Sequence, residues 1–576
     1  MTDIDEDQLS YTLQQRADYI PLDELLDETS EEGAIFNKVY SELTNKGLRT
    51  IVGPRGCGKT HMMRYAWVKC KEQPNKPFAV YVSFNRYFRL EPLLTSRGGA
   101  INQFHAWVLV RILLSIVDKR NEWDISKVDP ETIINNNGFK LEVLSKFVSR
   151  VERSQPLEED EADVVESITI EKVQAIIDEI RFQAERNYSI ILMDDAALTL
   201  TPEYLLEFLD IVRSLKSTTI VPKASVYPGT TEKSPKFHEG QDSISIPVWI
   251  SIDDDEYNTV MDSIAVKRVP TLDNIPDDVK NMFKLAAFGI PRAYLTMLDE
   301  FTRSKYKNNQ QAINVIINEH LSARVNEYRS LSMKVPKFKD LIAFGEEFLD
   351  KFSLLLKESN TKLLYKKEKQ IYVGIEKVGI TPIVERMFNL LVEAGLIYDA
   401  GEVKHGTPQR IYQRFIPHSA MLISLRVFST HEKSSAIKQI LDGFSWKNTK
   451  HPLRRSLTRI IKSDRINSLS FSLPACSVCH TKRIHDNQKF CHNCANQLVD
   501  ASTFNLCLDT KLDVVPGLTK WQKQKITESL PHLKTIRDYL AKQDPAADLL
   551  LIKGIGDKRA TRIVDVLESF VDDFLS

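Results

Sequence analysis

The feature that most constrains this chain is the segment Arg49-Thr-Ile-Val-Gly53-Pro54-Arg55-Gly56-Cys57-Gly58-Lys59-Thr60. It fits the pattern G-x-x-x-x-G-K-[ST], with a short apolar run before it and a helix-forming stretch from His61 to Lys71 after it, the setting this pattern requires. Glycines at 53, 56 and 58 let the backbone curl so that its N–H groups converge on phosphate oxygens. The following helix brings its positive N-terminal end to the same point. Lys59 is placed to offset the β- and γ-phosphates and Thr60 to offer its hydroxyl to Mg²⁺, while Pro54, Arg55 and Cys57 complete the cradle for ATP. The bland alternative is a glycine-rich turn in which Lys-Thr occurs by coincidence.

Such a cradle needs a second strand ending in an acid. Tyr188-Ser-Ile-Ile-Leu-Met-Asp194-Asp195 supplies four apolar residues and then two carboxylates. Asp194 would hold the Mg²⁺ shell through water, and Asp195 stands where a longer glutamate usually polarises the attacking water, which predicts slow hydrolysis. Two further strand-like runs, 78–84 and 223–227, complete a parallel α/β pattern. The second leads into Tyr227-Pro-Gly-Thr230-Thr231, where Thr230 could sense the γ-phosphate. Ala287-Phe-Gly289-Ile290-Pro291-Arg292 then opens a helix, within a helical stretch from about 276 to 302. A stretch from about 89 to 181 reads as inserted helices, with the acidic run 158–163 as a solvated loop.

This order of parts resembles the AAA+ ATPases, in the branch of the origin-recognition and replication-initiator ATPases. The resemblance covers residues 35 to about 425. It implies a Walker A loop at Gly53 to Thr60, Walker B acids at Asp194 and Asp195, sensors at Thr230 and Arg292, and a winged helix behind a helical lid. One departure stands out: residues 214–267 contain no arginine, where the family places its inter-subunit finger. Lys233, Lys236, Arg181 and Arg186 are the available substitutes.

Three modules follow. Residues 381–394 carry Ile383, Val384, Met387, Leu390 and Leu391 at helical spacing. Gly395 to Tyr398, the glycine-bearing stretch 401–406, and Arg410 to Phe415 read as strand, loop and strand, a winged-helix signature. Its helix could enter a major groove while Lys404, His405, Arg410 and Arg414 touch backbone; it could equally be a packing module. Next, Cys476-Ser-Val-Cys479 and Cys491-His-Asn-Cys494 have the spacing of a four-thiolate Zn²⁺ ribbon, with no ligand position left open for catalysis. Lys482, Arg483 and Lys489 lie between the knuckles. Last, Lys553-Gly554-Ile555-Gly556-Asp-Lys558-Arg559-Ala560-Thr-Arg562 resembles a helix-hairpin-helix turn, in which bare backbone N–H groups meet a DNA phosphate without reading sequence. Val514-Val-Pro-Gly517 opens a degenerate upstream copy. Packing or self-association is the alternative use of the hairpin.

With 42% hydrophobic and 27% charged residues in 576, the chain is neither disordered nor collagenous, and at about 150 residues per domain it should hold three to five domains. The longest apolar run, 106–117, is broken by Arg111, and the N-terminus lacks a secretory pattern, so we expect a cytoplasmic protein without a membrane span. Four clustered cysteines of seven then mean metal. A net charge of −1 conceals an acidic arm, with eleven acids from Asp3 to Glu32 against Arg16, and a basic stretch between Trp446 and Arg465 that could meet phosphates or simply be solvated.

The expected fold class is multidomain. It comprises an acidic arm (1–34), an α/β P-loop ATPase core (35–260), a helical lid (261–335), a winged helix (336–430), a basic linker (431–470), a zinc ribbon (471–505) and an all-α helix-hairpin-helix domain (506–576). The expected function is a DNA-binding ATPase or nucleotide switch with ATP, Mg²⁺ and Zn²⁺ as cofactors. Its expected partners are duplex DNA and either further copies of itself or a partner protein. By analogy alone, this combination leans toward phage defence or mobile elements. The alternative is a scaffold resembling the STAND switches, assembled by a protein or invader trigger; an RNA-processing factor ranks third. No nuclease, protease or transferase constellation is present in the sequence.

Overall fold

The structure is a computed structural model. It describes residues 17, 20–96, 99–118, 129–195, 202–228, 240, 242–304, 306, 308–428, 437–473, 475–476, 478–481, 490–496, 498, 507–515, 518–542 and 544–573. Among these residues the strands are β1 (Arg49–Val52), β2 (Phe78–Ser83), β3 (Ser189–Asp194), β4 (Ile220–Val226), β5 (Ile244–Pro247), β6 (Glu368–Lys369), β7 (Val373–Glu376), β8 (Ile397–His405), β9 (Arg410–Pro417), β10 (Lys447–Asn448) and β11 (Leu453–Arg455). The chain divides into two compact units: Met1–Gln73 with Lys223–Lys233 and His238–Ser472, and Pro74–Pro222 with Ser234–Phe237 and Leu473–Ser576.

In the first unit β1 is flanked by parallel partners, β4 (Arg49 beside Lys223, Val52 beside Val226) and β5 (Arg49 beside Ile244, Val52 beside Pro247). The phosphate loop therefore leaves the end of a strand held on both sides, and the helix Lys59–Glu72 follows it. β4 starts at Ile220, three residues before the expected 223, and every residue of it is buried. Pro222 and Lys223 hid that start, since proline removes a ladder donor and a lysine rarely enters a core. The Lys223 ammonium is satisfied there by the carbonyls of Glu42 (2.6 Å), Asn45 (2.9 Å) and Gly47 (2.5 Å), which cap the end of the helix Ala34–Thr44. Burial, with Arg49 nearby, brings its pKa down to about 7.

The expected acidic arm is folded from residue 20 on. Leu25 is buried, and Glu28 lies 3.3 Å from the buried guanidinium of Arg268, which needs a counter-charge. After the helices Asp277–Ala286, Pro291–Arg303, Asn309–Lys334 and Lys339–Leu363 comes a four-stranded sheet in the order β11-β7-β9-β8. The helix Pro382–Glu393 enters it, with proline at its first turn, and Gly395 (φ +70°) ends it. β8 runs through to His405 instead of stopping before a loop at 401. Gly401, at φ +74°, permits an irregularity between Asp399 and Glu402 that absorbs the extra residues inside the strand. The expected linker is also structured: β10 pairs with β6, and β11 pairs with β7. Backbone pairing is indifferent to the cations that made this stretch read as a linker.

In the second unit β2 and β3 are parallel, Phe78 beside Ser189 and Ser83 beside Asp194. The insertion is helical, as expected. Its helix Ala100–Asp118 is, among the described residues, long and apolar enough to cross a membrane by length and composition, a correction to the reading of an apolar run broken at Arg111. Phe104, Trp107 and Leu113 are buried in the protein, Trp107 donates to Glu152 (3.1 Å), and Arg111 donates to the Ser83 carbonyl (2.9 Å). The acidic run expected as a loop is the helix Glu159–Ser167. Glu158 and Glu161 form its capping box, and acids at an N-terminus oppose the helix dipole. The C-terminal helices are Lys520–Ser529, Ile536–Leu540, Pro545–Leu550 and Asp557–Asp573. A buried ion pair, Arg89 with Glu568 at 2.8 Å, fixes the last of them to the segment after β2.

Candidate functional site

The loop after β1 is held open by its glycines. Gly56 (φ +83°) and Gly58 (φ +99°) sit in the left-handed region, where a side chain is strained. A Cβ on Gly53 would lie 2.5 Å from Cys57 Sγ. The Lys59 ammonium donates to the carbonyls of Gly53 (2.6 Å) and Pro54 (3.1 Å) and lies 4.4 Å from the centroid of the Tyr227 ring, so it is parked across the cradle. Thr60 is in the first turn of the helix that starts at Lys59. Cys57 is buried, which pushes its thiol pKa up; it packs the loop and is a poor nucleophile.

Arg292 comes to this loop. A Cβ on Gly56 would lie 3.3 Å from Arg292 Cβ, and the Arg292 backbone nitrogen is 3.5 Å from the Gly56 carbonyl. Gly289 makes this approach possible, because a Cβ there would stand 2.1 Å from the Ile250 carbonyl oxygen. In the second unit Asp194 closes β3, fully buried, and accepts a hydrogen bond from the Tyr81 hydroxyl (3.0 Å). Asp195 follows with φ +52°. Thr230, Lys233 and Lys236 lie outside the described residues. Arg181 bonds Asp178 (3.0 Å) and the Arg186 carbonyl (2.7 Å), and Arg186 bonds the Lys76 carbonyl (3.0 Å), so both guanidinium groups secure local chain.

Sequence reasoning missed the side of the loop that faces away from the cradle. Arg55 lies 3.8 Å from Glu327 on the long helix Asn309–Lys334, and Glu327 lies 3.6 Å from Arg324. Arg324 is beside His320 and His418, whose rings are 5.8 Å apart; burial lowers the His320 pKa to about 4 and pushes that of His418 well below the usual imidazole value, keeping both neutral. At the end of the helix Pro382–Glu393, a Cβ on Gly395 would lie 3.0 Å from Ile290 Cδ1 and 3.7 Å from Pro54 Cβ. Only the glycine itself signals this contact in the sequence.

The four cysteines converge, with their sulfurs all within 4.8 Å of one another. The two knuckles repeat one backbone pattern. His480 and Ala495 donate to the Cys476 and Cys491 carbonyls (2.9 and 2.8 Å), each with φ near +55°. The Thr481 hydroxyl, 3.2 Å from Cys479, helps bring that thiol down to about 5. Four sulfurs in a cluster of this size fit tetrahedral Zn²⁺. Lys482, Arg483 and Lys489 lie outside the described residues.

On the hairpin Lys404, His405 and Arg410 are exposed, while Arg414 donates to the Ala400 carbonyl (2.7 Å). At the C-terminus Lys553, Gly554, Gly556, Lys558, Arg559 and Arg562 are exposed, and Ile552, Ile555, Ala560 and Ile563 are buried beneath them. Gly554 has φ +98°. Arg559 donates to the Gly554 carbonyl (2.8 Å) and stacks over Trp521 (5.4 Å).

A phosphate loop between a central parallel strand and a helix, with Arg292 packed against it, fits a P-loop α/β ATPase core of the AAA+ type. Residues 27–224 match the ORC-CDC6-like family, which makes this front part of the chain an initiator-like AAA+ ATPase module. None of the curated proteins matches the chain. Among solved structures, the Aeropyrum pernix Orc1 protein in complex with DNA is 14% identical, with 72% of this chain and 95% of that one covered and a TM-score of 0.31. The Walker-type ATPase PABY2304 of Pyrococcus abyssi is 13% identical, with 68% and 94% covered and a TM-score of 0.35. Both likenesses are remote.

Proposed function

We propose that this protein is an ATP-dependent switch that engages duplex DNA. Lys59 and the loop amides hold the phosphates. Thr60 and Asp194 hold Mg²⁺, Asp195 orients water, and Thr230 and Arg292 report on the γ-phosphate. The helix Pro382–Glu393 with its hairpin acts as a winged helix, the cysteine cluster as a zinc ribbon, and the turn at Gly554 as a helix-hairpin-helix contact to DNA backbone. The observation that carries this reading is the shared packing at the phosphate loop: Gly56 meets Arg292 of the lid, and Gly395 beside the winged helix meets Pro54. A loop that rearranges around a triphosphate then presses on both. ATP hydrolysis measured with and without duplex DNA tests the switch; turnover indifferent to DNA at saturating concentrations would overturn it.

Asp194→Asn should keep nucleotide binding and lose Mg²⁺-dependent hydrolysis by roughly a hundredfold, since it removes one charge at the metal shell. Unimpaired hydrolysis would place the metal-holding acid elsewhere. For the C-terminal turn the cleaner variant is Lys558→Ala with Arg562→Ala, because Arg559 also braces Gly554. It should weaken binding of unrelated duplexes alike and flatten the log–log salt dependence by about one to two units. An unchanged slope would make this hairpin a packing element.

The short Asp195 and the arginine-free segment 214–267 favour a second reading, a STAND-like scaffold that assembles on a protein trigger. ATP-dependent assembly that needs such a trigger and ignores DNA would select it.

A further inference from the structure

Between Trp446 and Arg465 seven cations stand against Asp464 alone, and the structure sorts them by task. Arg465 is structural, 2.9 Å from Asp340 and 3.5 Å from Glu347. Lys447 sits in register with Glu368. Lys450, Arg454, Arg455, Arg459 and Lys462 form no ion pair among the described residues, and all but the half-buried Arg454 are exposed. Among the described residues these five cations have no ion-pair partner of their own.

Arg454 is also held in a built position. On β11 it is opposite Gly374 of β7, and Gly374 is opposite Arg414 of β9, so the three share one face of the sheet. A Cβ on Gly374 would lie 3.2 Å from Arg454 Cγ and 3.1 Å from Tyr412 Cβ. The missing Cβ opens a slot through which Arg454 crosses β7 and lays its guanidinium 6.0 Å from the Tyr412 ring centroid. Arg414 stands likewise 5.6 Å from Tyr372. Two acids lie at this face: Glu376 is 3.9 Å from Arg410, and Asp253 accepts from the Tyr372 hydroxyl (2.9 Å) and is paired with Lys369 (3.1 Å). A guanidinium stacked on an aromatic ring has lost much of its rotamer freedom beforehand, and its N–H edge stays able to fork onto a phosphate.

We infer that this sheet face, through Arg454, and the edge beside it, through the exposed Arg455 and Arg459, bind the phosphate backbone of duplex DNA. The contact is additional to the winged helix and its hairpin tip, and it rests on the reading of the chain as a DNA-engaging switch. Phosphate neutralisation releases counterions, so each cation that takes part adds about 0.9 to the log–log salt slope whatever the base sequence.

The test uses the full chain and two labelled 30-base-pair duplexes of unrelated sequence, titrated across a salt series. The combined variant Arg454→Ala, Arg455→Ala and Arg459→Ala should flatten the slope by about two to three units for both duplexes. Gly374→Ala keeps every charge but closes the slot, and should flatten it by about one unit. Arg459→Glu, at an exposed position that folding does not need, should weaken binding about tenfold or more at fixed salt. A parent that binds DNA, with all three variants keeping its slope and affinity, would overturn this contact and leave the switch reading standing. A parent that binds neither duplex would overturn both. A parent that binds duplex RNA or a polyglutamate chain in place of DNA would overturn DNA as the occupant.

Discussion

Lys59→Ala is expected to abolish ATP binding at micromolar concentrations and with it all turnover. The Lys59 ammonium already lies across the cradle, 2.6 Å from the Gly53 carbonyl and over the Tyr227 ring. Its task with a triphosphate is to exchange those carbonyls for β- and γ-phosphate oxygens. Removing it leaves concentrated negative charge facing a loop whose other cation, Arg55, is beside Glu327, and whose helix dipole offers only about half a unit charge. A charge-assisted contact of this kind is worth several kcal/mol in a site that excludes water, which is a loss of at least about a thousandfold in affinity. Isothermal titration with ATP and a turnover assay check this together. Parental affinity and parental turnover in the variant would place the nucleotide site away from residues 53–60.

The second large effect concerns the metal. One zinc per chain is expected, held by Cys476, Cys479, Cys491 and Cys494, whose sulfurs lie within 4.8 Å of one another. Structural zinc contributes on the order of 10 kcal/mol or more to segments this small, so Cys479→Ser or a strong chelator should unfold the knuckles. ATP binding should survive, because the phosphate loop is built in the other unit. Elemental analysis and proteolysis around residues 470–500 measure both halves of the expectation. A purified chain with reduced cysteines and no zinc would overturn it.

The parts of the molecule legible in the sequence are those whose chemistry is local. Gly53 to Thr60 specify their loop by glycine freedom and one cation, and the cysteine spacing specifies its cluster. β3 announced itself as four apolar residues before two acids. Other elements were hidden because tertiary context overrode local signals. β4 carries Pro222 and Lys223 inside a buried strand, a sequence no propensity favours, and the four acceptors around the lysine exist only in the fold. β11 carries two arginines, and the partner of Arg454 is a glycine, Gly374, eighty positions back in the chain. The acidic stretch 158–163 looked solvated, yet its carboxylates cap a helix and meet Arg150, 3.0 Å from Glu161. At the candidate site, the loop and the nearness of Arg292 to it were legible. The pairing of Arg55 with Glu327 and the approach of Gly395 to Pro54 were not, since each joins residues hundreds of positions apart.

That approach has a consequence for timing. Because Gly395 lies close to Pro54, where an added Cβ would stand 3.7 Å from Pro54 Cβ, a nucleotide that moves the loop toward the end of that helix would press on the module behind it. In the proposed switch linkage makes the exchange reciprocal: any factor by which ATP tightens a hold on DNA is the factor by which DNA tightens the hold on ATP. If a carboxylate as short as Asp195 orients the water, as proposed, the doubly loaded complex would outlive either single one. Residence on the duplex would then be clocked by hydrolysis and not by diffusion.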